Sequence, residues 1–332
     1  MLVSDATVLR ADITVDVSEA CALDRRLTIV ATAFLPAPER LTDRHTVVFA
    51  MPGGGYSRGY FDMEFPERSG YSQAAHHVES GLIMIAIDHL GVGESSPEVA
   101  DVLRIEDIAA ANDYAVREIS RRLREGVAVA GYPAIDVGSC VGMGQSMGGG
   151  VAVIMAGRHQ TFDAIAVLGY SAIHTVLPFP GAEDAGYAKN FEFSRDDAPD
   201  TFSVEAASAT IPGFFYPFFY DDVPADIVAA DTAGGYPLRD TAPAFGSKTI
   251  PPCVVAMLSP GYISTEAASL SIPVLIGLGE RDTAPDPRGE PSAYCASSDI
   301  TLFICPRMAH MHNFATTRAV LWDRIAHWCS SL

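Results

Sequence analysis

Val137-Gly-Ser-Cys-Val-Gly-Met-Gly144 runs into Gln145-Ser146-Met147-Gly148-Gly149-Gly150, and then into the small apolar residues Val151-Ala-Val-Ile-Met-Ala156. An apolar run of strand length, a glycine-rich break and a small-residue run of helical length predict a strand, a tight turn and a buried helix. Ser146 stands in the turn, with glycine two residues before it and two after. A sharp strand-to-helix turn needs that spacing, because larger side chains would collide with the neighbouring strand or helix. In such a turn the serine Oγ stands exposed above the sheet, as a nucleophile must.

Outward from this turn the pattern repeats. Residues 46–51, 82–87, 138–145, 164–169, 272–278 and 300–305 are short, almost continuous apolar runs, suited to strands buried on both faces of a parallel sheet. Residues 7–17 and 28–35 precede them, and the first alternates as a half-exposed antiparallel strand does. Helical spacing of apolar residues marks 105–124, 147–158 and 315–330. The expectation is an α/β fold: a mainly parallel eight-stranded sheet with helices on both faces.

Residues 171–267 break the rhythm, holding 11 of the 22 prolines and 9 of the 16 phenylalanines. A structureless loop of that length is foreign to a compact domain. We therefore expect a core at 1–170 and 268–332, with an inserted cap at 171–267. Phe214, Phe215, Phe218 and Phe219 form an apolar patch too large to leave in water, so they should pack on the core or line a substrate entrance.

A nucleophilic serine needs a base, and the base an orienting acid. The run 272–278 ends in Gly279-Glu280-Arg281-Asp282, which puts a carboxylate just past a buried strand; Asp282 is the expected acid, with Glu280 and Asp286 as nearby rivals. After the last strand, Pro306-Arg307-Met308-Ala309-His310-Met311-His312-Asn313-Phe314 offers two histidines as candidate bases, between which position alone does not choose. His312 is expected to orient the loop or to contact substrate.

Taken together, Ser146 in GQSMG, Asp282 in GERD and His310 in MAHMHNF resemble the catalytic triad of the α/β-hydrolase superfamily. Asp88-His-Leu-Gly-Val-Gly-Glu-Ser95 resembles the D-x-x-G-x-G-x-S loop after strand four of that family. The resemblance covers the chain outside 171–267. It implies hydrolysis of a small-molecule substrate through an acyl-enzyme, on a carboxylic ester or lactone with an apolar portion. Thioester, amide and carbon–carbon hydrolysis use the same triad and stay open, as does a non-catalytic binding protein on the same fold. Serine in place of aspartate argues against dehalogenase and epoxide-hydrolase chemistry. The sequence departs from the family at Met51-Pro52-Gly53-Gly54-Gly55-Tyr56, where His-Gly is frequent. A glycine loop still lets backbone amides approach a developing oxyanion. The hole is expected from Met147 N–H with Gly54 or Gly55, and Tyr56 is expected to contact substrate.

Composition excludes other classes. A formal charge of -19, from 22 basic and 41 acidic residues, would repel nucleic acid and anionic membranes. The six cysteines lack CxxC pairs or regular spacing and are expected reduced. No basic-then-apolar leader and no long apolar run occurs, so a soluble, cytoplasmic protein is expected. No cofactor is implied: Met147 stands where a dinucleotide fingerprint wants glycine. His310-x-His312 has no acidic or cysteine cluster beside it, so no metal is expected. His76-His77 is expected on a surface helix.

Overall fold

The eight apolar runs form one sheet in the order β1-β2-β4-β3-β5-β6-β7-β8. The computed structural model describes residues 8–178 and 215–332, with Phe215 described by its backbone alone. The strands are β1 (Val8–Asp16), β2 (Thr28–Pro36), β3 (His45–Met51), β4 (Ile83–Ile87), β5 (Val137–Gln145), β6 (Ala164–Leu168), β7 (Val274–Arg281) and β8 (Ile300–Ala309). β2 runs antiparallel to both β1 and β4, and the other neighbours are parallel. Every residue of β4 and β6 is buried, which is why these runs show no polar alternation.

Side chains alternate between two cores. Val47, Phe49 and Met51 of β3 face one cluster, and Val48 and Ala50 face the other. The helices α1 (Gln73–Glu79), α2 (Ile105–Glu125) and α3 (Met147–His159) follow β3, β4 and β5 respectively. α2 and α3 cover the first core, while α1 and the last helix cover the second. Ten residues of α3, from Met147 to Ala156, are buried, and its small side chains let it lie close on the sheet.

The inserted segment returns through a single turn, α4 (Phe215–Phe218), and α5 (Ala225–Thr232). Its last part differs from the expected cap. The 3₁₀ stretch Pro252–Leu258 and α6 (Ser264–Ser269) pack on α3. There the Tyr170 hydroxyl donates to Met257 O at 2.6 Å, and Arg158 Nε donates to Glu266 Oε1 at 2.8 Å. This part completes the first core. The chain ends in α7 (Arg318–Cys329).

Two features of this topology place the ends of strands together. β3 lies between β4 and β5, so the chain leaves β3 in one direction and returns on its other side as β5. A crevice opens at such a switch point, beyond the carboxyl ends of the two strands. At the other side, β8 continues past the expected residue 305 to Ala309, and after a bulge Ala309 pairs with Arg281. The next residues along the two strands, Asp282 and His310, are thereby neighbours.

One expectation is corrected here. His77 is not on an exposed face: it is fully buried, while His76 meets Asp323 at 2.9 Å. All six cysteines are free thiols. Among the described residues, no helix is long and apolar enough to cross a membrane.

Candidate active site

β5 ends in Gln145, and α3 starts at Met147, so Ser146 alone makes the turn. Its backbone lies at φ 54° and ψ −122°, a sparsely populated conformation that the surroundings must enforce. Its N–H donates to Leu168 O at 2.7 Å. A Cβ at Gly144 would lie 2.0 Å from Gly148 O, and one at Gly148 would lie 2.2 Å from Met51 O. Strand and helix therefore cross where only glycine fits.

The Ser146 Oγ lies 2.9 Å from His310 Nε2, and His310 Nδ1 lies 2.8 Å from Asp282 Oδ1. Asp282 Oδ1 also accepts from Thr283 N at 2.8 Å, and Oδ2 accepts from Gly279 N at 2.8 Å and from His312 Nε2 at 2.6 Å. Burial alone would raise this carboxyl, but His312 and His310 hold it well below the usual range. An ionised carboxylate only accepts, so His310 carries its hydrogen on Nδ1 and presents the Nε2 lone pair to the serine hydroxyl. The loop is held from three sides. His310 N donates to Pro217 O at 3.1 Å, Met311 N to Phe218 O at 2.9 Å, and Gln145 Nε2 to His310 O at 2.8 Å.

The rival acids are engaged elsewhere. Glu280 is exposed and accepts from Arg307 N at 2.8 Å, and Asp286 is exposed beside Gly289. Of the two expected roles of His312, orienting the loop or contacting substrate, the geometry favours the first: it is 1% exposed and its Nε2 faces Asp282.

The glycine loop after β3 lies against the elbow. A Cβ at Gly53 would stand 3.1 Å from Ser146 Cβ and 2.4 Å from Gln145 Oε1. Among the described residues, neither Gly54 N–H nor Met147 N–H meets a backbone acceptor. Gly55 faces the inserted segment, where its carbonyl accepts from Ser247 N at 3.0 Å and from Arg239 Nη1 at 3.1 Å. His89 fixes the loop from below, between Pro52 O at 3.0 Å and Asn112 Nδ2 at 2.7 Å. Since an amide nitrogen only donates, His89 accepts at Nδ1 and donates Nε2–H to Pro52. Burial lowers its pKa to about 4, so the ring stays neutral. The sequence shows the Asp88–Ser95 loop but carries no sign of this brace.

Tyr56, expected to contact substrate, belongs to a buried cluster. It is fully buried, and its hydroxyl donates to Asp231 Oδ2 at 2.7 Å, while Arg239 Nη2 donates to Asp231 Oδ1 at 2.8 Å. This buried cluster binds the insertion to the glycine loop and commits the Tyr56 hydroxyl hydrogen to Asp231. Phe218 lies beside His310, with ring centroids 5.9 Å apart. Phe219 is buried against Phe314 at 5.9 Å, as core packing. Phe214 and the Phe215 side chain lie outside the described residues. Among the described residues, no group of three His, Cys, Asp or Glu could hold a metal ion.

No family model matches the sequence, and no curated protein matches it by sequence. Solved structures match by shape. The peroxisomal α/β-hydrolase Lpx1 of Saccharomyces cerevisiae gives a TM-score of 0.59 at 12% identity, over 98% of this chain and 88% of that one. A haloalkane dehalogenase loop variant from Bradyrhizobium elkanii gives 0.59 at 15% identity, over 97% of both chains. A thermophilic esterase from Thermogutta terrifontis gives 0.57 at 15% identity, over 97% of this chain and 98% of that one. Identities this low speak for architecture and not for reaction. Together with the sheet order and the strand-turn-helix at Ser146, they show that the chain has the α/β-hydrolase fold.

Proposed function

We propose that the protein is a serine hydrolase that cleaves a carboxylic ester or lactone with an apolar portion through an acyl-enzyme on Ser146. The observation that carries this reading is the continuous chain Ser146 Oγ–His310–Asp282, with contacts of 2.9 and 2.8 Å. Ser146 Oγ attacks the carbonyl carbon while His310 Nε2 takes its proton, and the Asp282 carboxylate stabilises the imidazolium that forms. The carbonyl oxygen becomes an oxyanion, bound by Met147 N–H and Gly54 N–H. Gly55 N–H is the alternative second donor, since like Gly54 N–H it meets no backbone acceptor among the described residues. One such donor is worth about 10²–10³ in kcat. The intermediate collapses as the carbon–oxygen bond to the leaving group breaks and His310 returns the proton to that oxygen. Water then repeats the sequence and frees the acid.

The preference for an apolar acyl or alcohol group is supported by Phe218 beside His310. Fluorophosphonate labelling tests the reading. The wild type should take one equivalent, and Ser146→Ala and His310→Ala should take none. An unlabelled wild type would make the protein a binder on a hydrolase fold. A panel of p-nitrophenyl esters, lactones and thioesters would then rank substrate classes.

A further inference from the structure

Asp282 carries two imidazoles, and the reaction proposed above needs only one. His310 uses Oδ1, while His312 Nε2 stands 2.6 Å from Oδ2. We infer that His312 is a positioning residue of the same site: it donates Nε2–H to Asp282 Oδ2 and so fixes the carboxylate plane on which the orientation of His310 depends. The inference rests on reading Ser146 as the nucleophile.

Four observations carry it. The carboxylate has two donors on each oxygen, one backbone amide and one imidazole each, so its rotation about Cβ–Cγ is blocked from both sides. Both rings are confined by one residue, since a Cβ at Gly169 would lie 3.2 Å from His310 Nδ1 and 3.3 Å from His312 Cε1. The backbone that carries His312 is anchored through Asn313. Its amide nitrogen Nδ2 donates to Gln73 Oε1 at 2.9 Å and to Tyr60 O at 3.1 Å, and its Oδ1 accepts from Trp322 Nε1 at 2.9 Å. Finally, His312 Nδ1 is buried and meets no partner among the described residues. A ring that donates from Nε2 needs no hydrogen on Nδ1, whereas a hydrogen there would be a buried donor without an acceptor.

Without His312, Oδ2 keeps only the Gly279 amide. The carboxylate can then rotate, and the Oδ1···Nδ1 bond that selects the His310 tautomer loosens. Small misplacements of this kind lower turnover by on the order of 10²-fold. The chemistry asked of His312 is one N–H at one point in space. A glutamine side chain places its amide nitrogen near where the imidazole Nε2 stands, so His312→Gln can supply that donor, while His312→Ala and His312→Asn cannot.

The experiment compares wild type, His312→Ala, His312→Asn and His312→Gln. It reads kcat and KM with an activated ester, and the downfield proton NMR signal of His310 Nδ1–H. We expect kcat to fall on the order of 10²-fold in the alanine and asparagine variants with KM little changed. We also expect the downfield signal to broaden in both, and kcat and signal to recover in His312→Gln. If the alanine variant does not fold, the asparagine variant takes its place. Unchanged kcat in the donor-less variants, a loss confined to KM, or a folded glutamine variant as poor as alanine would each overturn the inference. Absence of fluorophosphonate labelling in the wild type would instead overturn the nucleophile reading. The NMR comparison would still report on the bond between His312 and Asp282.

Discussion

Asp282 and Asp231 are both sealed from water, and each joins separate segments of the chain, yet burial ends differently at the two. Asp282 accepts from two backbone amides and two imidazoles, and its carboxyl is held well below the usual range. Asp231 accepts from the Tyr56 hydroxyl and the Arg239 guanidinium, and burial still raises its carboxyl above the usual range. The partners explain what each cluster can do. An imidazole can take and return a proton, and His310 opens onto Ser146. A guanidinium keeps its protons, and Arg239 directs its other donors to the carbonyls of Gly55, Gly235 and Asp231. On the proposed reading one carboxylate supports proton transfer, while the other braces the glycine loop.

Substitutions sharpen this contrast. The largest effect belongs to the Ser146 side: Ser146→Ala should lower kcat on the order of 10⁶-fold with the fold intact. Full activity of this variant on an ester would break the comparison at once. Asp282→Asn keeps the shape but favours the wrong His310 tautomer, and a loss near ~10⁴-fold is expected. A mild effect here, with a severe one in Asp286→Asn, would move the acid.

On the bracing side the readout is stability. Asp231→Asn leaves the buried Arg239 charge uncompensated and should destabilise the fold by about 3–5 kcal/mol in urea unfolding. Its folded fraction should still be labelled by fluorophosphonate. Loss of labelling in a well-folded Asp231→Asn would show that the brace acts on chemistry rather than on stability.

Two imidazoles without carboxylates complete the series. Burial lowers His77 to about 3 and His89 to about 4, against an ordinary 6.5. Both pKa values lie below those of the unfolded chain. The stability they contribute is therefore complete above about pH 6.5 and declines as pH falls toward these values, by about 1.4 kcal/mol per pH unit for each ring. His77→Leu should flatten the slope of unfolding free energy between about pH 6.5 and pH 5 by its own share. An unchanged slope would mean that the ring is reached by water. The smallest effect is at the aromatic pair. Phe218→Leu should shift acyl-chain preference with a stability change under about 1.5 kcal/mol, whereas Phe219→Leu should leave preference alone. The reverse pattern would place Phe219 at the substrate.

Most of the architecture is legible in the sequence because it is written in local patterns. Doubly buried strands are continuous apolar runs, and the elbow is a five-residue motif. Ser146, Asp282 and His310 are each readable from the end of a strand. Features that depend on register are not. The extension of β8 through Pro306 and Arg307 looks like a turn, and the pairing of Arg281 with Ala309 that brings Asp282 to His310 follows a bulge. The place of His312 on Oδ2 depends on that bulge as well. Tyr56, Asp231 and Arg239 meet across more than half the chain, in segments without periodicity, and no spacing announces them. His77 is misread for a different reason: a neutral imidazole buries readily, while the sequence shows only a polar residue beside another.

In the proposed mechanism Ser146 becomes acylated with His310 and Asp282 in support. Rapid mixing with an excess of p-nitrophenyl ester measures it directly. Where deacylation is made slow by choice of acyl group, a burst of one p-nitrophenolate per protein molecule is expected, absent in Ser146→Ala, with an added acyl mass on the Ser146 peptide. A burst that survives in Ser146→Ala, or an acyl group found on another residue, would contradict it.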